Sequence, residues 1–189
     1  AEGSEDASLA DSVNRFKTAA YTIERPLHLG AAVAGASDQL IAAFRGYGHD
    51  IGIAFQLRDD LLGVFGDPAV TGKPAGDDLR EGKRTVLLSL ALQRADESDP
   101  AAAAELRRLI GQTEDPQEIA RMAEIIEASG APDVVEQRIS DLTRSGLAHL
   151  HDAPVSPEVT TTLEELARKS TARRFYTLPT PPHSPPPPL

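Results

Sequence analysis

Within the stretch Phe55–Thr85, FQLRDDLLGVFGDPAVTGKPAGDDLREGKRT, five aspartates and one glutamate share a single segment with three arginines and two lysines. Asp59 and Asp60 follow an apolar run, Asp77 and Asp78 form a second acidic pair, and Lys73 and Lys83 each follow a glycine. Carboxylates bind hard divalent cations, and ammonium groups act as compact point charges for phosphate oxygens. Mg²⁺ takes one or two protein carboxylates and completes its shell with water and substrate phosphates. Acids and lysines gathered in this way point to a magnesium–phosphate ligand. The plain alternative is a wet loop whose charges neutralise one another. It leaves unexplained why Asp59 and Asp60 adjoin a helix that reads as buried.

The element that must carry these acids is a long helix from Gln39 to about Val64, with Ser37 and Asp38 as candidate caps. Its apolar positions Leu40, Ile41, Phe44, Tyr47, Ile51, Ala54, Phe55, Leu57, Leu61 and Leu62 cover much of its circumference, as in a helix central to a bundle. Gly46, Gly48 and Gly52 mark a tight crossing. Asp60 lies about 100° round the helix from Asp59, while position 63, one turn beyond Asp59 on the same face, is glycine. Residues 66–83, rich in glycine and proline, read as a loop.

Upstream, Leu9, Val13, Phe16, Ala20 and Ile23 fall at helical spacing up to about Glu24. Pro26 interrupts that helix, and a second follows through PLHLGAAVAGA. Downstream, helices are expected at about Arg84–Ala95, Ala101–Ile110, Pro116–Ala128, Asp133–Leu150 and Pro157–Lys169, with turns at 96–100, 111–115, 129–132 and 151–156. No strand-like alternation and no internal repeat is present. The expected fold is all-α: one helical unit over residues 1–175 and a proline-rich tail over 176–189.

Composition narrows the function further. With 40% hydrophobic but only 4% aromatic residues, the core rests on Ala, Leu, Ile and Val, which favours closely packed helices. A net charge of −10 argues against a nucleic-acid binder. No apolar run has the length of a membrane span and no signal-peptide pattern opens the chain. The absence of cysteine excludes disulfides and thiolate metal sites and fits a cytoplasmic protein.

Taken together, KTAAYTIERPLHLGAAVAGA (Lys17–Ala36) and the Phe55–Thr85 segment resemble the C-terminal half of trans-polyprenyl diphosphate synthases of the farnesyl/geranylgeranyl type. The resemblance is specific from about Asn14 to Leu90, looser to about Phe175, and absent in the tail. It implies an all-α bundle of the isoprenoid synthase type. The implied reaction adds isopentenyl diphosphate to an allylic diphosphate by Mg²⁺-assisted ionisation. By position, Lys17 and Thr18 resemble the pair that grips the allylic diphosphate, and Gln56 the glutamine of the family's Phe-Gln motif. Asp59 and Asp60 match the first two acids of the second aspartate-rich motif, which binds Mg²⁺. Lys73 and Lys83 match the diphosphate-binding loop lysines, and Asp78 a loop acid in the outer metal shell.

The chemistry accounts for such a set. Ionisation leaves an allylic cation and a diphosphate of increased negative charge, so cations aimed at the diphosphate lower the barrier. An apolar wall including Ile51 and Phe55 is expected to keep water from the carbocation. In the family the released diphosphate is held to remove the final proton. The five histidines therefore need no catalytic role, and His149 and His151 are expected at the surface.

Two departures from the family pattern shape the expectations. Gly63 stands where the family has the last acid of its second motif. The first aspartate-rich motif, the following arginine pair and the isopentenyl diphosphate site would all lie upstream of Ala1. The chain is thus expected to be an incomplete enzyme, inactive alone, with an apolar face of its central helix exposed and with homodimer formation. A non-catalytic partner or regulatory subunit is the alternative reading, and a terpene cyclase a third.

Overall fold

The structure, a computed structural model, describes residues 23–72, 75–151 and 153–172. The expected N-terminal helix, with Lys17 and Thr18, lies outside these residues, as do Lys73 and the proline-rich tail. Among the described residues there is no strand. The helices in chain order are α1 (Arg25–Val33), α2 (Asp38–Phe65), α3 (Pro68–Thr71), α4 (Asp77–Arg80), α5 (Val86–Ser98), α6 (Pro100–Leu109), α7 (Pro116–Ala128), α8 (Ala131–His151) and α9 (Pro157–Thr171).

The helix starts follow local rules. Ser37 caps α2 by accepting the Leu40 N–H at 3.3 Å. Asp67, Thr85, Asp99, Asp115 and Ser156 do the same for α3, α5, α6, α7 and α9. Proline opens α3, α6, α7 and α9, where its missing N–H has no intrahelical partner to lose. Pro26 sits in the first turn of α1 for the same reason, so it does not break the helical path there. Residues 96–98, expected in a turn, extend α5 instead, and a single residue, Asp99, separates α5 from α6.

Helix α2 is the axis of the molecule and packs most extensively on α8. Its Ala54, Leu57 and Leu61 enter a core with Leu87 of α5, Leu106 of α6, Met122 of α7 and Val135 of α8. Further toward its start, Phe44, Tyr47 and Ile51 join a second cluster with Ala31, Leu150 and Ala167. The expected tight crossing is real: a Cβ on Gly46 would stand 2.6 Å from the His149 ring, and one on Gly146 would stand 2.8 Å from Ile51 Cδ1.

Ile51 is buried against Gly146 of α8, while Phe55 is half-buried. His149 and His151 are both exposed, as expected, and His149 lies on Gly46 with Nε2 3.5 Å from Asp50 Oδ2. One expectation, an exposed apolar face on α2, needs correction. No large hydrophobic of α2 is exposed among the described residues. The exposed ones include Leu29 and Val33 of α1, at 69% and 83%.

The buried Tyr47 hydroxyl donates to the Leu163 carbonyl at 2.8 Å and ties α2 to α9. Tyr47→Phe is expected to cost about 1 kcal/mol, read from urea denaturation midpoints, because the carbonyl loses a part-buried donor.

Candidate active site

Leu57 and Leu61 of helix α2 are buried in the core, so the charged residues between them must either reach solvent or find partners. The three consecutive charged residues divide accordingly. Asp59 is exposed, Arg58 is 3% exposed, and Asp60 is fully buried.

Arg58 finds partners far along the chain. Its Nε donates to the Thr171 carbonyl at 2.8 Å, and its two terminal nitrogens donate to Glu136 at 2.5 and 2.6 Å. A bidentate guanidinium–carboxylate pair fixes orientation as well as energy. Arg58 thus locks the acid-bearing turn of α2 to α8 and to the end of α9. The local sequence signal for this residue is an arginine set between the apolar Leu57 and Leu61, which must be paired if it is buried. Arg58→Met is expected to lower stability by about 2 kcal/mol in urea denaturation, as charge-assisted hydrogen bonds are lost.

Asp60 faces the other side. Its Oδ1 accepts from Gln56 Nε2 at 3.0 Å, one turn back, and lies 3.6 Å from Lys83 Nζ. Its Oδ2 is buried and has no hydrogen-bond partner. Burial pushes the Asp60 carboxyl from the usual 3.8 up to about 6. The Gln56 hydrogen bond and Lys83 pull it back in part, while the charges of Asp78 and Asp59 push it higher.

Lys83 lies between two carboxylates, 2.9 Å from Asp78 Oδ2 and 3.6 Å from Asp60 Oδ1. Burial alone would lower its pKa. The hydrogen bond to Asp78 and the charges of Asp78, Asp60 and Asp59 outweigh that, and the ammonium is held above its usual range. The preceding Gly82 adopts φ +63°, and a Cβ added to it would stand 3.1 Å from the Gly111 Cα. The Lys83 N–H donates to the Asp78 carbonyl at 3.0 Å.

The segment expected as plain loop thus contains two short helices. Asp77 and Asp78, expected to have no helix to present them, form the first turn of α4. Gln56, Asp60, Asp78 and Lys83 form one connected group, with Asp59 acting on it through its charge. Lys17, Thr18 and Lys73 fall outside the described residues.

A divalent cation is a sound fit to one feature of this group: a buried carboxylate oxygen with no donor, beside further acids. Among the described residues, no three His, Cys, Asp or Glu side chains are gathered closely enough to hold a metal by themselves. In this geometry a cation would take one or two carboxylates and complete its shell with water and phosphate oxygens, which is the habit of Mg²⁺.

Comparison with known proteins gives matching results. Residues 7–128 match the model of the family described as polyprenyl synthetase. The geranylfarnesyl diphosphate synthase of Aeropyrum pernix is 43% identical over 135 residues, which is 70% of this chain and 40% of that protein. The geranylgeranyl diphosphate synthase of Mycobacterium tuberculosis is 35% identical over 141 residues, 75% of this chain and 40% of its own length. Among solved structures, the geranylgeranyl pyrophosphate synthase of Corynebacterium glutamicum, complexed with isoprenyl diphosphate and magnesium, superposes with a TM-score of 0.87 at 67% identity. That match covers 89% of this chain and 47% of that one. The chain therefore spans less than half the length of these relatives.

Proposed function

The chain belongs to the polyprenyl synthetase family, and on that premise we propose that it forms the diphosphate-ionising half of a prenyltransferase. The reaction would join isopentenyl diphosphate to an allylic diphosphate. The observation that carries this reading is the group Gln56–Asp60–Lys83–Asp78 at the end of a buried helix, with one Asp60 oxygen still lacking a partner. A solvated mixed-charge loop has no reason to bury a carboxylate in that state.

In this proposal Asp59 and Asp60 hold the metal and Asp78 assists. Lys83 and Lys73 bind the leaving diphosphate, joined by Lys17 and Thr18 from the preceding segment. Mg²⁺, when bound, supplies Lewis-acid neutralisation of the departing diphosphate. Lys83 is already poised as an ammonium, so it meets developing phosphate charge without a proton transfer. Gln56 orients Asp60 from one turn back, and the half-buried Phe55 faces the reacting carbons and keeps water away. Arg58 keeps the whole turn in register with α8 and α9. We place the protein in the cytosol, as a homodimer whose exposed Leu29 and Val33 offer an apolar face for association.

The test follows from the share of the relatives that the chain spans. The chain is assayed alone, and after co-expression with the N-terminal half of a related synthase, using an allylic diphosphate and labelled isopentenyl diphosphate. Mg²⁺-dependent product is expected from the combination and not from the chain alone. Stable co-purification with no product would leave the non-catalytic subunit as the better reading.

A further inference from the structure

The outer side of α8 carries an open groove of about 660 Å³ whose lining includes Asp133, Val134, Gln137, Asp141 and Leu142. Val134 is 40% exposed, although its neighbour Val135 is fully buried in the core. Leu142 is half-buried. The described residues that line the groove all belong to α8.

The path round α8 from the end of α9 to this groove changes in character along the way. Arg58 donates both to the Thr171 carbonyl and to Glu136, so α9 ends beside Glu136. At about 100° per residue, Asp133 lies about 60° round the helix from Glu136, and Val134 about 100° further on. The path therefore runs from two acids to an apolar patch. Asp141 adds an acid two turns on from Val134, and Arg138 is the base on the same lining.

The residues that follow α9 have the same order. Beyond Ala172 the sequence reads RRFYTL: two arginines, then Phe175, Tyr176 and, after one threonine, Leu178. The chain has only five phenylalanines and three tyrosines, so an adjacent aromatic pair is a concentrated piece of apolar surface. Pro179 disfavours helical backbone at Leu178, which suits an extended segment. Six extended residues reach about 20 Å, and the path round a helix of ordinary diameter is about 15 Å.

We propose that residues 173–178 of this chain occupy the α8 groove, with Arg173 and Arg174 at Glu136 and Asp133, and with Phe175, Tyr176 and Leu178 over Val134 and Leu142. Guanidinium groups there meet carboxylates, and apolar surface leaves water on both sides. The seat begins at the Arg58–Glu136 pair, so its occupancy braces that lock from outside.

The chain has no cysteine, so an introduced thiol reports on its own position alone. Val134→Cys is reacted with a maleimide in the full chain, and in the same chain carrying Phe175→Ser, Tyr176→Ser and Leu178→Ser. The serine changes are expected to speed the reaction by at least about tenfold, the ratio for a seat filled nine-tenths of the time. Ala104→Cys, exposed on α6, is expected to react at one rate in both backgrounds. Far-UV circular dichroism checks the fold of each variant, and Gln137→Cys replaces Val134→Cys if the latter is unstable. Mild oxidation of a chain with Val134→Cys and Leu178→Cys is expected to give a disulfide within one chain. A rate at position 134 that the serine changes leave unaltered overturns the proposal: a fast one means an open groove, a slow one a different occupant. An equal speeding at position 104 marks general loosening and overturns it too. Disulfides formed only between chains, or protection lost on dilution, assign the groove to a second copy and also overturn it.

Discussion

Lys83→Ala in the assembled enzyme is expected to lower turnover by about 10²–10³-fold, the usual loss when a preorganised donor to developing negative charge is removed. Its ammonium is already fixed near the acids that would hold the metal, on a turn pinned by Gly82 against Gly111. No reorganisation is then needed as the diphosphate departs. Stability is expected to change by less than about 1 kcal/mol at pH 7. The side chain is partly exposed, and Asp60, deprived of its counter-charge, can take up a proton instead of remaining a buried anion. Steady-state turnover at saturating Mg²⁺, read beside thermal melting, separates the two effects. Unchanged turnover with a lowered melting temperature would show Lys83 to be structural. Lys73→Ala is expected to act in the same direction.

Asp60→Asn is expected to stabilise the metal-free protein at pH 8 by on the order of 2–3 kcal/mol, since each pKa unit is worth about 1.4 kcal/mol. Burial raises the Asp60 carboxyl from 3.8 to about 6. Between these values the folded state keeps a proton that the unfolded chain has released, so parent stability falls as pH rises through that window. Below it both states are protonated, and above about 6 the loss is complete. Asparagine has no such titration, so the gap between variant and parent should open from pH 4 to 6 and then stay level. Urea denaturation across this range in EDTA measures it, and parallel stability curves for the two proteins would refute it. Saturating Mg²⁺ with pyrophosphate should flatten the parent curve, because the ionised carboxylate then gains the partner that its Oδ2 lacks.

Much of the fold was open to reading from local pattern. The central helix, expected at Gln39–Val64, runs Asp38–Phe65 with Ser37 as its cap, and α7 starts and stops where its proline and apolar spacing place it. The segment between α2 and α5 was harder. A four-residue turn such as α4 buries little surface and has no periodicity to detect, so Asp77 and Asp78 read as loop. Arg58 was passed over because its partners, Glu136 and Thr171, lie 78 and 113 residues further on.

Sequence alone determined the all-α class, the axial helix with its Ser37 cap and the residue types that mark a magnesium–diphosphate chemistry, because each depends on spacing within a few residues. Tertiary structure alone decided that Asp60 is buried while Asp59 is exposed, that Lys83 rather than solvent faces Asp60, and that Asp78 fills the space left by Gly63. The reason is that burial and charge pairing depend on which surfaces the packed helices bring together, and no local pattern encodes the position of a turn fifteen residues away.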